Sequence, residues 1–291
     1  MSAQLQQGAV AIQSRVPWDE YTQLPGTSIS RLKELRRSAQ HYLYRLTVPK
    51  ESAALQLGKA AHAAVLEPER FEREYFVWRR RSEKTGNLCP RNGQFYDAFL
   101  AEHHCTDEQV ITEDEHAVAV AIQSAVRGNP SAMRYLAAGD PEVTLQWVHD
   151  GRPCRGRVDW LTTVDGVPHL VGLKTSRDCR HMKFGYQAAV LGYHLQWGFY
   201  FDGYTAIKGR EPRMIEIVVE SEAPHAVAVY FIPHDIVDQG RDEYQALLLR
   251  LAEHESTGHF PGPQEHEEPL SLPSWVYGDE TDDIGDLGLE E

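Results

Sequence analysis

Two periodicities divide the chain. Up to about residue 127 apolar positions recur at helical spacing, and beyond Pro130 alternating runs take over. In TSISRLKELRRSAQHYLYRL, Ile29, Leu32, Leu35, Ala39, Leu43 and Leu46 form one stripe behind Thr27, Ser28 and Ser30, any of which can cap a helix. SAALQLGKAAHAAVLEPE predicts a second helix ending before Pro68, and the spacing predicts two more at about 94–103 and 107–127. The polar stretch 79–93 predicts a loop, and residues 1–20 carry neither period and predict a loose N-terminus. VTLQWVH, CRGRVDWLTTV and VPHLVGLKTS predict three strands, the last two joined at Asp165-Gly166, a strong hairpin signal. MKFGYQAAVLGYHLQWGFYFDGY predicts one long helix, RMIEIVVES and HAVAVYFIP two strands, and HDIVDQGRDEYQALLLRLAEH a final amphipathic helix. The order is helices and then β-β-β-α-β-β-α. It predicts an α/β (α+β) fold, a mixed central β-sheet flanked by helices, with a helical N-terminal part. One domain is expected over 21–257, between a flexible segment 1–20 and a Pro-rich, acidic tail 258–291.

Composition narrows the class without deciding the function. The 291 residues suffice for a sizeable core, and 42% hydrophobic with 25% charged residues is ordinary for a globular chain. No stretch approaches bilayer-spanning length and the N-terminus lacks the apolar core of a signal peptide, so a cytoplasmic protein with no membrane partner is expected. Cys89, Cys105, Cys154 and Cys179 are too widely and irregularly spaced to suggest zinc or an iron–sulfur cluster. A net charge of −14 by itself argues against nucleic-acid binding. Ten of the acids lie between Glu265 and Glu291, however, and the rest of the chain carries only −4. Basic clusters stand at Arg31, Lys33, Arg36 and Arg37, and at Arg79, Arg80, Arg81 and Lys84. A metal-dependent enzyme can hold DNA through such local patches, so charge leaves the question open.

The chemistry lies in the hairpin. With Asp165-Gly166 as a two-residue turn, Val164 pairs with Val167, Asp159 falls opposite Gly172, and Arg157 opposite Lys174. Alternation then gathers Asp159, position 172 and Lys174 on one face, with Val158, Trp160, Val171 and Leu173 on the other. Opposed Cβ atoms about 4.5–5.5 Å apart would let two carboxylates grip one hard cation. Here one acid is missing. A strand pair with one exposed Asp and one Lys is also common, so the hairpin does not establish a site by itself.

Further blocks supply a resemblance. PGTSISRLKEL, LGKAAHAAVLEPERF, CRGRVDWL, LKTS, YHLQWGFYFDGY and LSLPSW, from about Tyr21 to Trp275, resemble the RecE-like (exonuclease VIII-type) branch of the PD-(D/E)xK nuclease superfamily. The resemblance implies metal ligands at His62, Glu142 and Asp159, at the backbone carbonyl of Leu173, and at position 172. It also implies a catalytic role for Lys174 beside Asp159 and Glu142. Gln196 and Tyr200 match the Q-x-x-x-Y pattern of RecB-like nucleases and, four apart, share a helix face. From the residues alone, His62 reads rather as a histidine packed among alanines, while Glu142 can also be read as a solvated strand-end acid and Tyr200 as part of a core-edge pair.

The departure is Gly172, where the family has Asp or Glu. No nearby acid replaces it in sequence: Asp165 is at the far end of the hairpin and Asp178 lies past the strand. Three readings follow: a change from an active parent, a natural variant with weakened catalysis, or a site completed by another acid or a water. The resemblance implies a magnesium-dependent (alternatively manganese-dependent) exonuclease that digests the 5′ strand of duplex DNA and leaves 3′ tails. It further implies a bacterial or phage-encoded protein that forms a trimeric or tetrameric ring and works with a single-strand annealing protein. DNA contacts are expected from Arg79, Arg80, Arg81, Lys84 and Arg157. The alternatives are a non-catalytic protein binding DNA ends, or a nicking or single-strand-specific nuclease of the same fold.

Overall fold

A computed structural model describes residues 10–48 and 52–272. The elements in chain order are β1 Ala11–Gln13, α1 Trp18–Gln23, β2 Thr27–Ser28, α2 Ile29–Leu32, α3 Ala39–Thr47, α4 Ala53–Leu66, α5 Pro68–Glu74 and β3 Phe76–Trp78. There follow α6 Gln94–His103, β4 Val110–Thr112, α7 Glu113–Gly128, α8 Pro130–Leu136, β5 Asp140–His149, β6 Arg152–Val164 and β7 Val167–Ser176. The chain continues through α9 His181–Val190, α10 Tyr193–Lys208, β8 Arg213–Glu220, β9 Val227–Ile232 and α11 His234–Thr257. The main sheet runs β1-β5-β6-β7-β8-β9, with β2 paired to β6. The pairs β7–β8 and β2–β6 are parallel and the others antiparallel, so the sheet is mixed, with helices on both faces.

Alternation along the central strands sorts two apolar clusters. Leu170, Met214 and Val218 pack with Leu195, Phe199, Phe201 and Tyr204 of α10 and with Tyr244, Leu247 and Leu251 of α11. Val171, Leu173, Ile215, Ile217 and Val219 face the opposite way, onto Ala61 and Val65 of α4 and Ile122 and Val126 of α7. Strands buried on both faces read as near-continuous apolar runs, and within β8 the segment MIEIVV is such a run apart from Glu216.

The N-terminal segment departs from expectation. Residues 11–13 form an edge strand on β5 and 18–23 a helix, where a loose segment was predicted. Arg155, buried on β6, donates to the carbonyls of Tyr21, Thr22 and Leu24 and so ties this segment to the sheet. The single helix expected over 27–46 is broken: Thr27–Ser28 joins β6, and the chain turns at Ser38, whose hydroxyl caps α3. The helix expected from 107 begins only at Glu113, behind a capping box of Thr112 and Glu115. Val110–Thr112 pairs instead with Phe76–Trp78 in a small parallel sheet. The long helix expected over 182–204 splits into α9 and α10 at Gly192, which adopts φ +64. Lys33 and Arg36, from the first basic cluster, cap the freed carbonyls of Ala189, Val190 and Leu191.

All four cysteines are free. Among the described residues no helix is long and apolar enough to cross a membrane. The acidic segment 273–291, including the second half of LSLPSW, and residues 1–9 lie outside the described residues.

Candidate active site

The turn at Asp165-Gly166 sets the register expected for it, from Val164↔Val167 to Trp160↔Val171. The ladder then stops. At the next position Asp159 Oδ2 accepts the backbone N–H of Leu173 at 2.8 Å, so the pairings expected for Asp159 with Gly172 and Arg157 with Lys174 do not form. The β5–β6 ladder has a gap at the same residue, pairing Pro141↔Trp160 and Val143↔Val158 but skipping Glu142 and Asp159. This interruption breaks the alternation of β6. Val158 packs toward α10 and Trp160 toward α4, although the hairpin argument set them on one face. Glu142 adopts φ +52, a strained conformation for a glutamate and one that clusters at functional sites.

Glu142 on β5 and Asp159 on β6 thus stand at the gap in both ladders, and beyond it Gly172 on β7 and Glu216 on β8 are direct parallel partners. Glu216 lies on the face of Met214 and Val218 and is 1% exposed. Its Oε2 accepts the indole N–H of Trp197 at 2.5 Å, while Oε1, equally buried, accepts no hydrogen bond. A Cβ placed on Gly172 would stand 2.7 Å from both Cδ and Oε2 of Glu216, and closer still to Oε1. The space left by the missing side chain is therefore filled by a carboxylate from the neighbouring strand, which corrects the expectation that no acid lies nearby.

Lys174 sits between the acids, its Nζ 3.5 Å from Asp159 Oδ2, 3.6 Å from Glu216 Oε1 and 5.5 Å from the ring centre of Tyr193. Burial disfavours its charge, but Asp159 and Glu216 outweigh that and hold it protonated. Burial also opposes ionisation of Asp159, yet Lys174, His62 and the Leu173 amide together keep its pKa below the usual carboxylate range. Glu216 is pushed up, by burial first and by Asp159, with Lys174 opposing. Glu142 is likewise raised by burial and by Asp159, against the pull of Arg157.

The other expected residues divide into two groups. Gln196 and Tyr200, one turn apart on α10, line a cavity of about 10 Å³ with Asp159, Gly172, Lys174, Trp197 and Glu216, roughly the room for one water or ion. Gly156 lets the Tyr200 ring lie against β6, where a Cβ would stand 2.5 Å from it. His62, half-buried on α4, acts electrostatically on Glu142, Asp159 and Glu216. Arg157 is not a free DNA contact: it is largely buried, donates to Glu142 at 2.5 Å, and lies over the rings of Trp18 and Tyr21. The basic loop is also partly spent. Arg79 and Arg81 pair with Glu113 and Arg80 stacks on Phe95, while Lys84 is exposed.

Three carboxylates thus face two cations. In this arrangement no group of three or more His, Cys, Asp or Glu among the described residues is gathered closely enough to enclose a metal ion. The donors nevertheless suit a hard cation, since they are carboxylates, and one oxygen of Glu216 is buried without a hydrogen bond, facing only the Lys174 ammonium. Sequence reasoning passed over Glu216 and Trp197. A glutamate in the middle of an otherwise apolar central strand was the available signal, because such acids are almost never fully buried without a partner.

No match is found among curated proteins. Of the solved structures, one named "Putative exonuclease" from Eubacterium rectale superposes with a TM-score of 0.59 at 13% identity, covering 91% of this chain and 100% of its own. SSO0001 (TM-score 0.28, 13% identity, 75% and 84% of the two chains) and VC1899 from Vibrio cholerae (0.21, 14%, 83% and 62%) superpose too loosely to bear on the fold. Residues 28–271, most of the chain and every candidate site residue, match the family described as a PDDEXK-like domain of unknown function (DUF3799), and the protein belongs to that family.

Proposed function

We propose that the protein is a divalent-metal-dependent deoxyribonuclease that hydrolyses phosphodiester bonds. The observation that carries this reading is the pair of buried acids Asp159 and Glu216 on either side of Lys174, which they hold charged, with Glu142 at the same gap in the sheet. A family match at PDDEXK-like level supports it. By its resemblance to RecE-like enzymes, the substrate is the end of linear duplex DNA, degraded 5′ to 3′ to leave 3′ single-stranded tails. A ring of three or four subunits and a single-strand annealing protein as partner belong to the same proposal.

Asp159, Glu142 and His62 would hold magnesium, or manganese, together with the Leu173 carbonyl. A divalent cation there supplies Lewis-acid activation of water and charge neutralisation at phosphorus. The chain does the rest. The Lys174 ammonium directs a water toward phosphorus and meets the negative charge that develops there. Gln196 and Tyr200 wall the cavity beside Lys174 and limit the water that reaches it. Arg157 keeps Glu142 in place beside Asp159.

A 5′-labelled linear duplex and a closed circle of the same sequence, incubated with magnesium, test the reading. Nucleotides released from the linear form alone support an exonuclease, and Asp159→Asn or Lys174→Ala should abolish release. Cutting of the circle would shift the reading to an endonuclease. Intact DNA of both forms with either metal would refute it, and tight binding of ends without cleavage would favour the non-catalytic alternative.

A further inference from the structure

We propose that Glu216 has taken over the place of the missing motif acid, so that a carboxylate carried on β8 serves as metal ligand where position 172 on β7 carries none. This rests on the metal-dependent reading above and adds a specific ligand to it.

Four observations converge. Gly172 and Glu216 are direct partners in the parallel β7–β8 ladder, so adjacent strands offer the two positions to the same point of the sheet. Neighbouring strands lie about 4.8 Å apart, a gap that the two methylenes of a glutamate can cross. The Glu216 carboxylate occupies the volume that a side chain on residue 172 would need, so an acid at 172 and Glu216 as placed exclude each other. Trp197 clamps Oε2, which leaves Oε1 buried, without a hydrogen bond, at the cavity that Asp159 and Lys174 also line.

A purely structural role explains these facts poorly. Lys174 already has Asp159 as a partner, and a second carboxylate buried beside Asp159 adds repulsion as well as its own desolvation cost. Trp197 would be satisfied equally by a glutamine oxygen. What a glutamate alone provides is a carboxylate oxygen that makes no hydrogen bond and already faces one cation, the Lys174 ammonium 3.6 Å away. The same exchange accounts for the glycine. Residue 172 has to be small because its neighbour reaches over it.

The test measures manganese binding by calorimetry, independently of DNA cleavage, on the wild type and on Glu216→Gln, Gly172→Asp and the double variant Gly172→Asp/Glu216→Ala. Near-UV circular dichroism reports whether each is folded. Glu216→Gln keeps the Trp197 bond and should weaken manganese binding at least by the roughly 10–100-fold that loss of even an outer-shell partner costs. The double variant returns the carboxylate to β7 and should recover most of that affinity, whereas Gly172→Asp alone should gain none. Wild-type affinity in Glu216→Gln, or no recovery in a folded double variant, overturns the proposal. If Glu216→Gln binds and cuts like the wild type, the nuclease reading stands and the ligand assignment falls. If wild-type binding depends on Glu216 but every DNA stays intact, the assignment stands and the nuclease reading falls. No binding by the wild type overturns both.

Discussion

Adding a single methyl group at position 172 should destabilise this protein, against the usual direction for a strand glycine. Gly172→Ala restricts the unfolded chain and on that account stabilises by about 0.4–1 kcal/mol. The new Cβ, however, would stand 2.7 Å from Cδ and Oε2 of Glu216, well inside van der Waals contact. Glu216 has little room to withdraw, because its Oε2 is held by Trp197 and Lys174 lies beside Oε1. Overpacking of this kind costs roughly 1–3 kcal/mol. The balance is a net loss centred near about 1 kcal/mol, and a domain of this size loses about 2–4 °C in Tm per kcal/mol. Urea and thermal unfolding followed by far-UV circular dichroism measure it. In a Glu216→Ala background the same substitution meets no carboxylate and should be neutral or stabilising, so the double-mutant cycle yields a coupling of about 1 kcal/mol or more. A Gly172→Ala protein as stable as the wild type would show that the carboxylate does not occupy the space above the glycine.

Three other outcomes follow from the same packing and electrostatics. Lys174→Met leaves Asp159 and Glu216 buried without their shared cation and should cost about 3–5 kcal/mol in metal-free urea unfolding; added manganese should then raise its Tm more than that of the wild type, and equal responses would contradict the pairing. Burial holds the His169 imidazole below its usual pKa, so between that lowered value and about 6.5 the unfolded chain takes up a proton that the folded chain refuses. Stability should therefore fall as pH drops from 7 through that window, and His169→Asn should flatten the slope; an unchanged slope would refute the assignment. Gly240→Ala, normally favourable in a helix by about 1 kcal/mol, would press a Cβ 2.5 Å from the His194 carbonyl carbon and nearer still to its oxygen. It should lower the Tm measurably, and a rise would mean that α10 and α11 do not cross so closely.

Legibility in the sequence followed the range of the interaction. Helix 94–103 and the five central strands were readable from local period and punctuation. The break at Gly192 was not, because the apolar spacing continues through it while the reason for the turn, capping by Lys33 and Arg36, comes from more than 150 residues away. Val110–Thr112 reads as the start of a helix until Phe76–Trp78 is beside it. Arg157 looked like a DNA contact because neither Glu142 nor the rings of Trp18 and Tyr21 are its neighbours in sequence.

The candidate site divides along the same line. By itself the sequence determined the hairpin, since a two-residue turn is a local object and its length sets the register of both arms as far as Trp160 and Val171. It thereby placed Asp159, Gly172 and Lys174 close together and exposed the glycine as an anomaly. Only the tertiary structure decided what the anomaly means. The parallel pairing of β7 with β8 is set by two intervening helices and their packing on the sheet, not by a turn, so nothing local brings Glu216 to Gly172. Once that crossover is made, the residue without a side chain and the acid without a local partner become two halves of one arrangement.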